Sequence, residues 1–306
     1  MADAAPWVSV VIPAYNAAAY IDAALASVFA QQGEFQLEVL VVDDGSSDDT
    51  AERAAAHPGV RCLRQPNRGP SAARNAGIAA ARGEFVAFLD SDDLWPEGTL
   101  AAQLEVFRRH PEVALVFGDC RQFSAEGPWP KTWFEGAGFD ADFFGHPVYV
   151  VDPYRKLLKA NFINPSAAVV RRQVLLALGG FDEGLRYVED LELWLRIAAR
   201  YPIARSGRLC QWRRRHAGNA SMVAKEAMIL SYLEVLRRQR IQHGALWAAA
   251  GVNVRRRQAR EYLELAALHL AENPRRARHW AWRSLVSAPS LRGLYCLVQS
   301  FAFGHG

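Results

Sequence analysis

The sequence predicts an α/β protein in which a mostly parallel sheet is flanked by helices and followed by a helical C-terminal extension. Short apolar runs alternate with helical patterns over about the first 120 residues, as in doubly wound sheets. Acidic residues follow two of these runs directly, and helical patterns without strands fill residues 222–306. A chain of 306 residues is long enough for one large domain with such an extension.

The first elements predict a β-α-β unit. Residues 7–12 (WVSVVI) and 37–42 (LEVLVV) are apolar runs of the kind that forms strands buried on both faces of a parallel sheet. Residues 18–32, between them, repeat apolar side chains at helical spacing. The chain therefore begins with two parallel strands joined by a helix.

The pattern continues as far as an acidic cluster. Residues 48–57 predict a weaker helix, and residues 60–65 a third strand. Residues 69–83 form an Ala-rich helical pattern, and we expect Gly83 to be its C-terminal cap, because glycine is preferred there. Residues 85–89 (FVAFL) then predict another buried strand.

The middle of the chain is less regular. Residues 124–160 are rich in aromatic residues, Gly and Pro, without a clear period, so we expect loops here, including a mobile lid over a substrate. A helical pattern begins near Glu189 and Asp190. Its spacing turns one set of apolar side chains inward, which makes Trp194 a predicted core residue. This set is Leu191, Trp194, Leu195 and Ala198.

Composition narrows the class of protein and the compartment. A hydrophobic content of 51% and a charged content of 22% are ordinary for a globular protein. The four cysteines form no CxxC pair, which disfavours a zinc site or a disulfide framework and favours a reducing cytosol. The start of the chain does not resemble a secretion signal, and no apolar run approaches the roughly 20 residues that span a bilayer. We therefore expect a cytoplasmic protein and leave membrane-surface association open.

The net charge of +4 conceals an asymmetry. Residues 1–204 hold 18 Lys and Arg against 27 Asp and Glu, and residues 205–306 hold 18 against 5. From residue 222 onward, Arg and Trp are interleaved with apolar residues in amphipathic patterns. Such helices suit the cytoplasmic face of an anionic membrane or a bundle with a solvated Arg face. No nucleic-acid-binding module accompanies the charge, and we expect no nucleic acid as a partner.

Three carboxylates in four positions follow the strand at 85–89, in the order Asp90, Ser91, Asp92, Asp93. In open α/β sheets, ligands bind beyond the carboxyl ends of the strands. Clustered like charges repel, so the group indicates a divalent cation or a dense set of hydrogen bonds. A solvated turn or a helix cap would also use these residue types. The chain lacks GxGxxG after its first strand and lacks GxxxxGK[ST], which disfavours two common phosphate-binding loops.

Seven motifs together resemble the family 2 inverting glycosyltransferases of the GT-A fold, which is Rossmann-like. They occur in the order found in that family and extend over roughly the first 220 residues. The motifs are VVIPAYN (10–16), VVDDGSSDDT (41–50), NRGPSAARNAG (67–77), FLDSDD (88–93), GGFDE (179–183), EDLELWLR (189–196) and RRHAGNAS (214–221).

The resemblance implies a site for a divalent cation. Asp90-Ser91-Asp92 corresponds to the DxD element of the family, in which Asp92 ligates Mg²⁺ or Mn²⁺ and Asp90 lies near the ribose or the metal. His216 corresponds to a late histidine that approaches the metal or the diphosphate, although a lone histidine is more often structural. The following Asn219 and Ser221 suggest a loop that closes over the leaving group.

The resemblance also implies a nucleotide site. Asp44 would accept a hydrogen bond from the base, and Arg68 and Arg74 would approach the base or the phosphates. Asp44 also suits a turn, and Arg74 also suits a solvated helix surface. The implied nucleotide-binding residues are Pro13, Tyr15, Asn16, Asp44, Arg68, Arg74, Asp90 and Ser91.

Asp190 corresponds to the catalytic base of the family, with Glu189 as its orienting neighbour. A helix N-terminus favours the charged carboxylate, whereas a partly dehydrated pocket raises its pKa. The alternative role for Asp190 is the N-cap of the helix that it opens.

By this resemblance the chain is a metal-dependent inverting glycosyltransferase. It would use a nucleotide sugar, with UDP favoured, and a glycan or lipid-linked acceptor in surface polysaccharide synthesis. Residues 1–221 would be the catalytic domain, with a nucleotide-sugar half at 1–120 and an acceptor half at 121–221, and residues 222–306 the helical extension. The alternatives are a catalytically silent nucleotide- or glycan-binding protein, which should lack the acidic site, and a peripheral membrane scaffold.

Overall fold

A computed structural model describes residues 7–216 and 224–302 of the chain. The chain divides into two compact units, Met1–Ala217 and Gly218–Gly306. We describe each unit by itself and call them unit 1 and unit 2.

The described part of unit 1 has one eight-stranded sheet, which confirms the predicted α/β class. Its strands are β1 (Trp7–Ala14), β2 (Gln36–Asp43), β3 (Val60–Arg64), β4 (Phe85–Phe88), β5 (Leu115–Ser124), β6 (Gly127–Pro128), β7 (Ala168–Arg171) and β8 (Ile203–Arg214). Their order is β3-β2-β1-β4-β7-β5-β6, and β8 also pairs with β5. The four strands from β3 to β4 are parallel, β7 runs antiparallel to both neighbours, and β8 runs parallel to β5.

Helices cover this sheet as the alternating pattern predicts. They are α1 (Ile21–Phe29), α2 (Thr50–Ala56), α3 (Pro70–Ala80), α4 (Thr99–Arg109), α5 (Trp133–Ala137), α6 (Ala141–Phe144), α7 (Pro153–Lys159), α8 (Arg172–Leu178) and α9 (Glu189–Ala198). A 3-10 turn at Pro165–Ala167 precedes β7. Trp194 on α9 is fully buried and donates from Nε1 to the carbonyl of Ile163 at 3.0 Å, which confirms its predicted core role.

The parallel strands bring their carboxyl ends to one edge of the sheet. β4 is buried along its whole length and pairs with β1 from Val8↔Phe85 to Val11↔Phe88. β1 pairs with β2 as far as Ala14↔Asp43. The residues that follow these strands therefore meet at one place, which we call the carboxyl edge.

Gly83 has a different role from the predicted one. Helix α3 ends at Ala80, and its C-cap is the extended residue Ala81. A Cβ atom on Gly83 would lie 2.6 Å from the carbonyl oxygen of Trp7 and 2.7 Å from the backbone nitrogen of Ser9. Gly83 is thus required where the chain passes close to β1, and glycine fits because it has no side chain.

The expectation of loops over residues 124–160 was also wrong in part. This stretch contains β6 and the short helices α5, α6 and α7. Its phenylalanines pack with two neighbours into a cluster of edge-to-face and tilted ring contacts, in which Phe144 is fully buried. The cluster consists of Phe117, Phe134, Phe139, Phe143, Phe144 and Phe162. Helices of four to seven residues are too short to show a helical period in the sequence.

Unit 2 is helical over its described residues. Its helices are α10 (Lys225–Gln242), α11 (Gly244–Ala249), α12 (Val254–His269), α13 (Pro274–Ser287) and α14 (Leu291–Ala302). Two small apolar clusters join α10, α12, α13 and α14, one around Tyr262 and Leu265 and one around Ala281 and Cys296. Within the described residues, no helix is long and apolar enough to cross a membrane.

The change from the acidic to the basic part of the sequence, at residue 205, does not coincide with the boundary between the two units. Five of the arginines counted with the basic end of the chain belong to β8 or directly follow it, inside unit 1. They are Arg205, Arg208, Arg213, Arg214 and Arg215. Unit 2 retains thirteen Lys and Arg against five Glu.

Candidate active site

The acidic loop after β4 lies at the carboxyl edge, where ligands bind in open α/β sheets. Asp90 follows β4 by two residues, and its backbone nitrogen donates to Ser166 Oγ at 3.0 Å. The side chains of Asp90 and Asp92 are 35% and 27% exposed, respectively, whereas Asp93 is buried. Two of the three carboxylates therefore face a position that solvent or a ligand can reach.

Arg74 on α3 joins the acidic loop to the start of α9. Its Nη2 donates to Asp90 Oδ1 at 2.7 Å, and its Nη1 donates to Glu189 Oε1 at 2.8 Å. Burial alone would lower the pKa of Arg74, but the two carboxylates raise it, so the guanidinium stays charged. Arg74 is therefore an internal bridge rather than a solvated helix charge, and its predicted approach to a nucleotide stays a prediction.

Asp190 is the second residue of α9, directly after Glu189. The N-cap of α9 is Val188, so the alternative role of Asp190 as N-cap is wrong. Asn161 Nδ2 donates to Asp190 Oδ2 at 2.8 Å, and the backbone nitrogen of Leu191 donates to Oδ1 at 2.7 Å. Desolvation raises the pKa of Asp190 although both hydrogen bonds favour its charged form. A raised pKa makes this carboxylate a stronger base than an exposed aspartate.

Val188 holds a strained backbone conformation immediately before this acidic pair. Its φ is +63°, a region that β-branched residues rarely adopt. Its carbonyl nevertheless accepts the hydrogen bond from Glu192 that opens α9. Strain of this kind costs on the order of 1–3 kcal/mol and concentrates at functional sites. The strain at Val188 therefore marks the start of α9 independently of the acidic residues.

Asp92 and His216 are in direct contact. His216 Nε2 lies 2.9 Å from Asp92 Oδ2. The ring of His216 stacks on Tyr20 with the centroids 4.8 Å apart, and the Arg214 guanidinium lies 5.2 Å from the centroid of Tyr20. The end of β8 therefore brings the predicted late histidine to the DxD element. Asn219 and Ser221 of the same motif lie outside the described residues.

Asp93 anchors this end of β8 to the acidic loop. Its Oδ2 accepts from Gln211 Nε2 at 2.6 Å and from Ser166 Oγ at 2.9 Å, and its Oδ1 accepts from the backbone nitrogen of Arg214 at 3.0 Å. Burial and the nearby carboxylates of Asp92 and Asp90 raise its pKa to about 8. The third carboxylate thus serves the loop structure, and no pattern in the sequence distinguishes it from Asp90 and Asp92.

Asp44 holds the backbone at the entry to α3. Its Oδ1 accepts from Gln65 Nε2 at 2.7 Å and from the Arg68 backbone nitrogen at 3.0 Å, while Oδ2 accepts from the Gly69 nitrogen at 2.8 Å. The carboxylate is buried at the carboxyl end of β2. The expected turn chemistry is therefore present, and a contact between Asp44 and a base stays a prediction.

The other predicted nucleotide-binding residues lie around the ends of β1 and β2. Pro13 is buried within β1, and Tyr15 is exposed just after it. Asn16, with a φ of +49°, accepts from the backbone nitrogen of Ser47 at 2.9 Å and so joins the two strand ends. The Arg68 side chain is 61% exposed and pairs with Glu183 at 2.6 Å. Ser91 is partly exposed, between the two acidic residues.

The side chains around Asp92 provide part of the ligand shell that a hard divalent cation needs. Carboxylate oxygens are the ligands that Mg²⁺ and Mn²⁺ prefer, and Asp92 and His216 present an oxygen and a nitrogen 2.9 Å apart. Across residues 7–216 and 224–302, no three His, Cys, Asp or Glu side chains are grouped closely enough to hold a metal by themselves. Mg²⁺ commonly completes its shell with substrate phosphates and water, so these residues suit a cation that arrives with a diphosphate.

Sequence comparison decides the family. Residues 9–179 match the model of glycosyl transferase family 2. The chain belongs to this family. This is the family that the seven motifs predict.

Related sequences match only part of their own length. The chain is 29% identical to chondroitin synthase of Escherichia coli over 221 residues, which cover 71% of this chain and 30% of that protein. It is 34% identical to an uncharacterized protein of Mycobacterium tuberculosis over 207 residues, which cover 64% of this chain and 63% of that protein. The chain thus spans less than two thirds of the length of these curated relatives.

Solved structures confirm the GT-A fold of this chain. S. aureus TarS 1–349, solved in complex with UDP-GlcNAc, superposes with a TM-score of 0.61 and 20% identity, covering 94% of this chain and 91% of that chain. The mannosyltransferase PcManGT of Pyrobaculum calidifontis, in complex with GDP-Man and Mn²⁺, gives 0.57 and 23%, covering 98% and 80%.

Several contacts at the site could not be read from the sequence. Asn161, Ser166 and Gln211 belong to none of the seven motifs, yet each bonds an acidic residue of the site. The bonds of Ser166 and Gln211 to Asp93 join residues 73 and 118 positions apart. Such pairs leave no local period or spacing, so a single sequence contains no signal for them.

Proposed function

We propose that this chain is a metal-dependent inverting glycosyltransferase that transfers a sugar from a nucleotide sugar to a glycan or a lipid-linked acceptor. One observation carries the proposal. Through Arg74, the acidic loop that suits a cation is joined to the acidic pair that suits a base, with both bonds shorter than 3 Å. A transferase needs these two functions on opposite sides of one anomeric carbon.

In this proposal Asp190 removes the proton from the acceptor hydroxyl. The hydroxyl oxygen attacks the anomeric carbon as the bond from that carbon to the diphosphate oxygen breaks, and the configuration inverts. The proton ends on Asp190, and the electron pair of the broken bond leaves with the nucleoside diphosphate. The raised pKa of Asp190 makes it a stronger base than an exposed aspartate.

Other residues position these groups. Asn161 donates to Asp190 Oδ2, which fixes the carboxylate and leaves a lone pair for the proton. Arg74 holds Glu189 beside Asp190 and holds Asp90 toward the donor. Asp92 and His216 would hold the cation, which when bound neutralises charge on the diphosphate.

We further propose UDP as the nucleotide and Mg²⁺ or Mn²⁺ as the cation. The neighbours in complex with UDP-GlcNAc and with GDP-Man and Mn²⁺ support a nucleotide sugar, and the chondroitin synthase relative supports a polysaccharide product. Residues 1–221 would form the catalytic domain, with donor-binding and acceptor-binding halves at 1–120 and 121–221. The acceptor would be met at a membrane surface through residues 222–306.

Calorimetric titration of UDP into the purified protein tests this function. We expect binding with Mn²⁺, none with chelator, and none for Asp92→Ala under either condition. Glu34→Ala is the control, because Glu34 is exposed just before β2, at the opposite edge of the sheet. It should bind UDP as the unmodified protein does.

Two results would overturn parts of the proposal. If UDP does not bind but GDP or dTDP does, the nucleotide is wrong and the enzyme class stands. If no nucleoside diphosphate binds with either cation, the chain is the catalytically silent member that keeps the fold. The presence of Asp90, Asp92 and Asp190 at one edge of the sheet argues against that alternative.

A further inference from the structure

Helices α13 and α14 expose large apolar side chains on the outside of unit 2. Seven of these side chains are between 50% and 88% exposed. Apolar residues scattered singly over a protein surface are normal, but seven on two consecutive helices form a group. We call this set the α13–α14 apolar surface. It consists of Trp282, Val286, Leu291, Leu294, Tyr295, Val298 and Phe301.

The spacing places these residues on the outer side of each helix. In α14 they recur at steps of three or four residues, which is one face of a helix. The inner face of α14 consists of small residues, with Gly293, Cys296 and Ser300 buried. A Cβ atom on Gly293 would lie 3.0 Å from Leu285 Cδ2, so α14 already packs closely against α13. The small residues of α14 are therefore used in packing against α13. The large apolar residues lie on the surface of unit 2.

The two helices are adjacent, which joins their outer faces. Only Ala288, Pro289 and Ser290 separate them. The Arg278 guanidinium lies 4.8 Å from the centroid of the Phe301 ring, so the end of α14 returns to the middle of α13. An exposed apolar area of this extent marks an interaction surface.

The charges around this surface have one sign. Residues 274–302 contain five arginines and neither aspartate nor glutamate. Arg275, Arg283 and Arg292 are exposed. Arg276 pairs with Glu226 of α10. For the other four arginines, α13 and α14 themselves contain no acidic residue.

We propose that the α13–α14 apolar surface lies in the interface of an anionic lipid bilayer. Leu, Val, Phe and Trp side chains would enter the boundary between headgroups and acyl chains, and the arginines would contact anionic headgroups. Apolar area and basic charge together set the strength of such binding. This inference rests on the membrane contact proposed above for residues 222–306 and assigns it to particular side chains, and its test needs neither the nucleotide nor the acceptor.

A second copy of the chain suits this surface less well. A two-fold dimer places the same patch against itself, so it would bring the two sets of arginines together without acidic partners. Like charges brought together in this way cost free energy. An anionic bilayer satisfies both the apolar and the basic groups, and the charge therefore selects the bilayer.

Sedimentation of the full chain with vesicles tests the inference. Vesicles of phosphatidylcholine with 30% phosphatidylglycerol, about a physiological anionic fraction, are compared with vesicles of phosphatidylcholine alone. We expect binding to the anionic vesicles, and about tenfold weaker binding for Leu294→Ser/Val298→Ser. Ile241→Ser/Leu246→Ser is the matched control, because these side chains are 67% and 40% exposed on α10 and next to it on α11. It should bind like the unmodified protein.

The electrostatic part has its own pair of variants. Arg275→Gln/Arg292→Gln should weaken binding to anionic vesicles by roughly tenfold. Arg255→Gln/Arg256→Gln removes the same charge from exposed positions on α12 and should change binding less than about twofold. Equal losses of vesicle binding for both pairs would show that the vesicles are attracted by positive charge anywhere on unit 2. That result would overturn the assignment of binding to the α13–α14 apolar surface.

Two further outcomes would also overturn the inference. The first is the absence of binding to anionic vesicles. The second is a dimer in analytical ultracentrifugation that Leu294→Ser/Val298→Ser dissociates, without any effect on vesicle binding. Because no nucleotide is present in these experiments, their failure is distinguishable from failure of the proposed transfer reaction.

Discussion

Arg74 shows at the scale of a single residue how the site is held together. It is buried, and its two terminal nitrogens reach carboxylates on different elements, Asp90 after β4 and Glu189 at the start of α9. A planar guanidinium can make two such bonds in fixed directions, which an ammonium cannot. The distance between the acidic loop and the acidic pair therefore depends on one side chain.

Removing this bridge should be costly. Arg74→Met leaves Glu189 buried without its partner, and breaking a buried ion pair costs about 3–5 kcal/mol. Arg68→Met is the control, because Arg68 forms a pair with Glu183 that is largely exposed and such pairs contribute about 0–1 kcal/mol. Urea denaturation of the two variants measures the difference. Equal losses would show that Arg74 is not the bridge that its contacts indicate.

The pH dependence of transfer should report Asp190. The unprotonated form is the base, and desolvation raises its pKa above the ordinary value, so kcat/KM should fall as the pH drops through that raised pKa. Asn161 donates to Asp190 Oδ2 and stabilises the charged form. Asn161→Ala should therefore raise the pKa further and move the acid limb to higher pH.

A pH–rate profile of sugar transfer or of slow nucleotide-sugar hydrolysis measures this shift. A loss of rate at every pH, with the acid limb unchanged, would mean that Asn161 supports the fold and not the charge of Asp190. A shift to lower pH would contradict the assignment of Asp190 as the base.

At the scale of elements, helix α3 packs closely on the first strand. A Cβ atom on Gly77 would lie 2.3 Å from Val11 Cγ1, so the helix contacts β1 through a residue that has no side chain. This contact sets the depth of α3, and α3 carries Arg74. The position of the bridge thus depends on a glycine one turn further along the same helix.

Two glycine substitutions should therefore change the free energy of unfolding in opposite directions. Gly77→Ala should destabilise unit 1 by about 1–3 kcal/mol through overpacking against β1. Gly136→Ala, in α5, has no atom within 4 Å of the added Cβ and should stabilise by about 0.5–1 kcal/mol, because alanine is the better helix former. Urea denaturation compares them. Stabilisation by both would show that α3 can move away from β1 without cost.

The elements that the sequence predicted are those with a local pattern, either a period or, as in the four residues of β4, a short apolar run. β1, β2, α1 and α9 are each eight to ten residues long, and their apolar patterns match their structure. The predictions failed where the cause lies elsewhere in the chain. Gly83 is required by the backbone of β1, and the short helices between 124 and 160 are held by a shared phenylalanine cluster. Tertiary contacts determined both, so local patterns could not reveal them.

The whole molecule divides its charges between its units. The described parts of unit 1 contain the carboxyl edge with its acidic residues, and unit 2 holds thirteen Lys and Arg against five Glu. Asp92 with His216, and Asp190 with Asn161, belong to unit 1. The α13–α14 apolar surface belongs wholly to unit 2, so no residue is common to the two sites.

Donor binding and vesicle binding should therefore be lost separately. Asp92→Ala should abolish calorimetric binding of UDP with Mn²⁺ and leave sedimentation with anionic vesicles unchanged. Leu294→Ser/Val298→Ser should weaken vesicle binding about tenfold and leave UDP binding unchanged, because mutations that share no partners act additively to within about 0.5 kcal/mol. A UDP affinity that changes more than about threefold when vesicles are added would contradict this independence. By reciprocity, UDP would then change vesicle binding by the same factor, and that measurement would show whether the two units communicate.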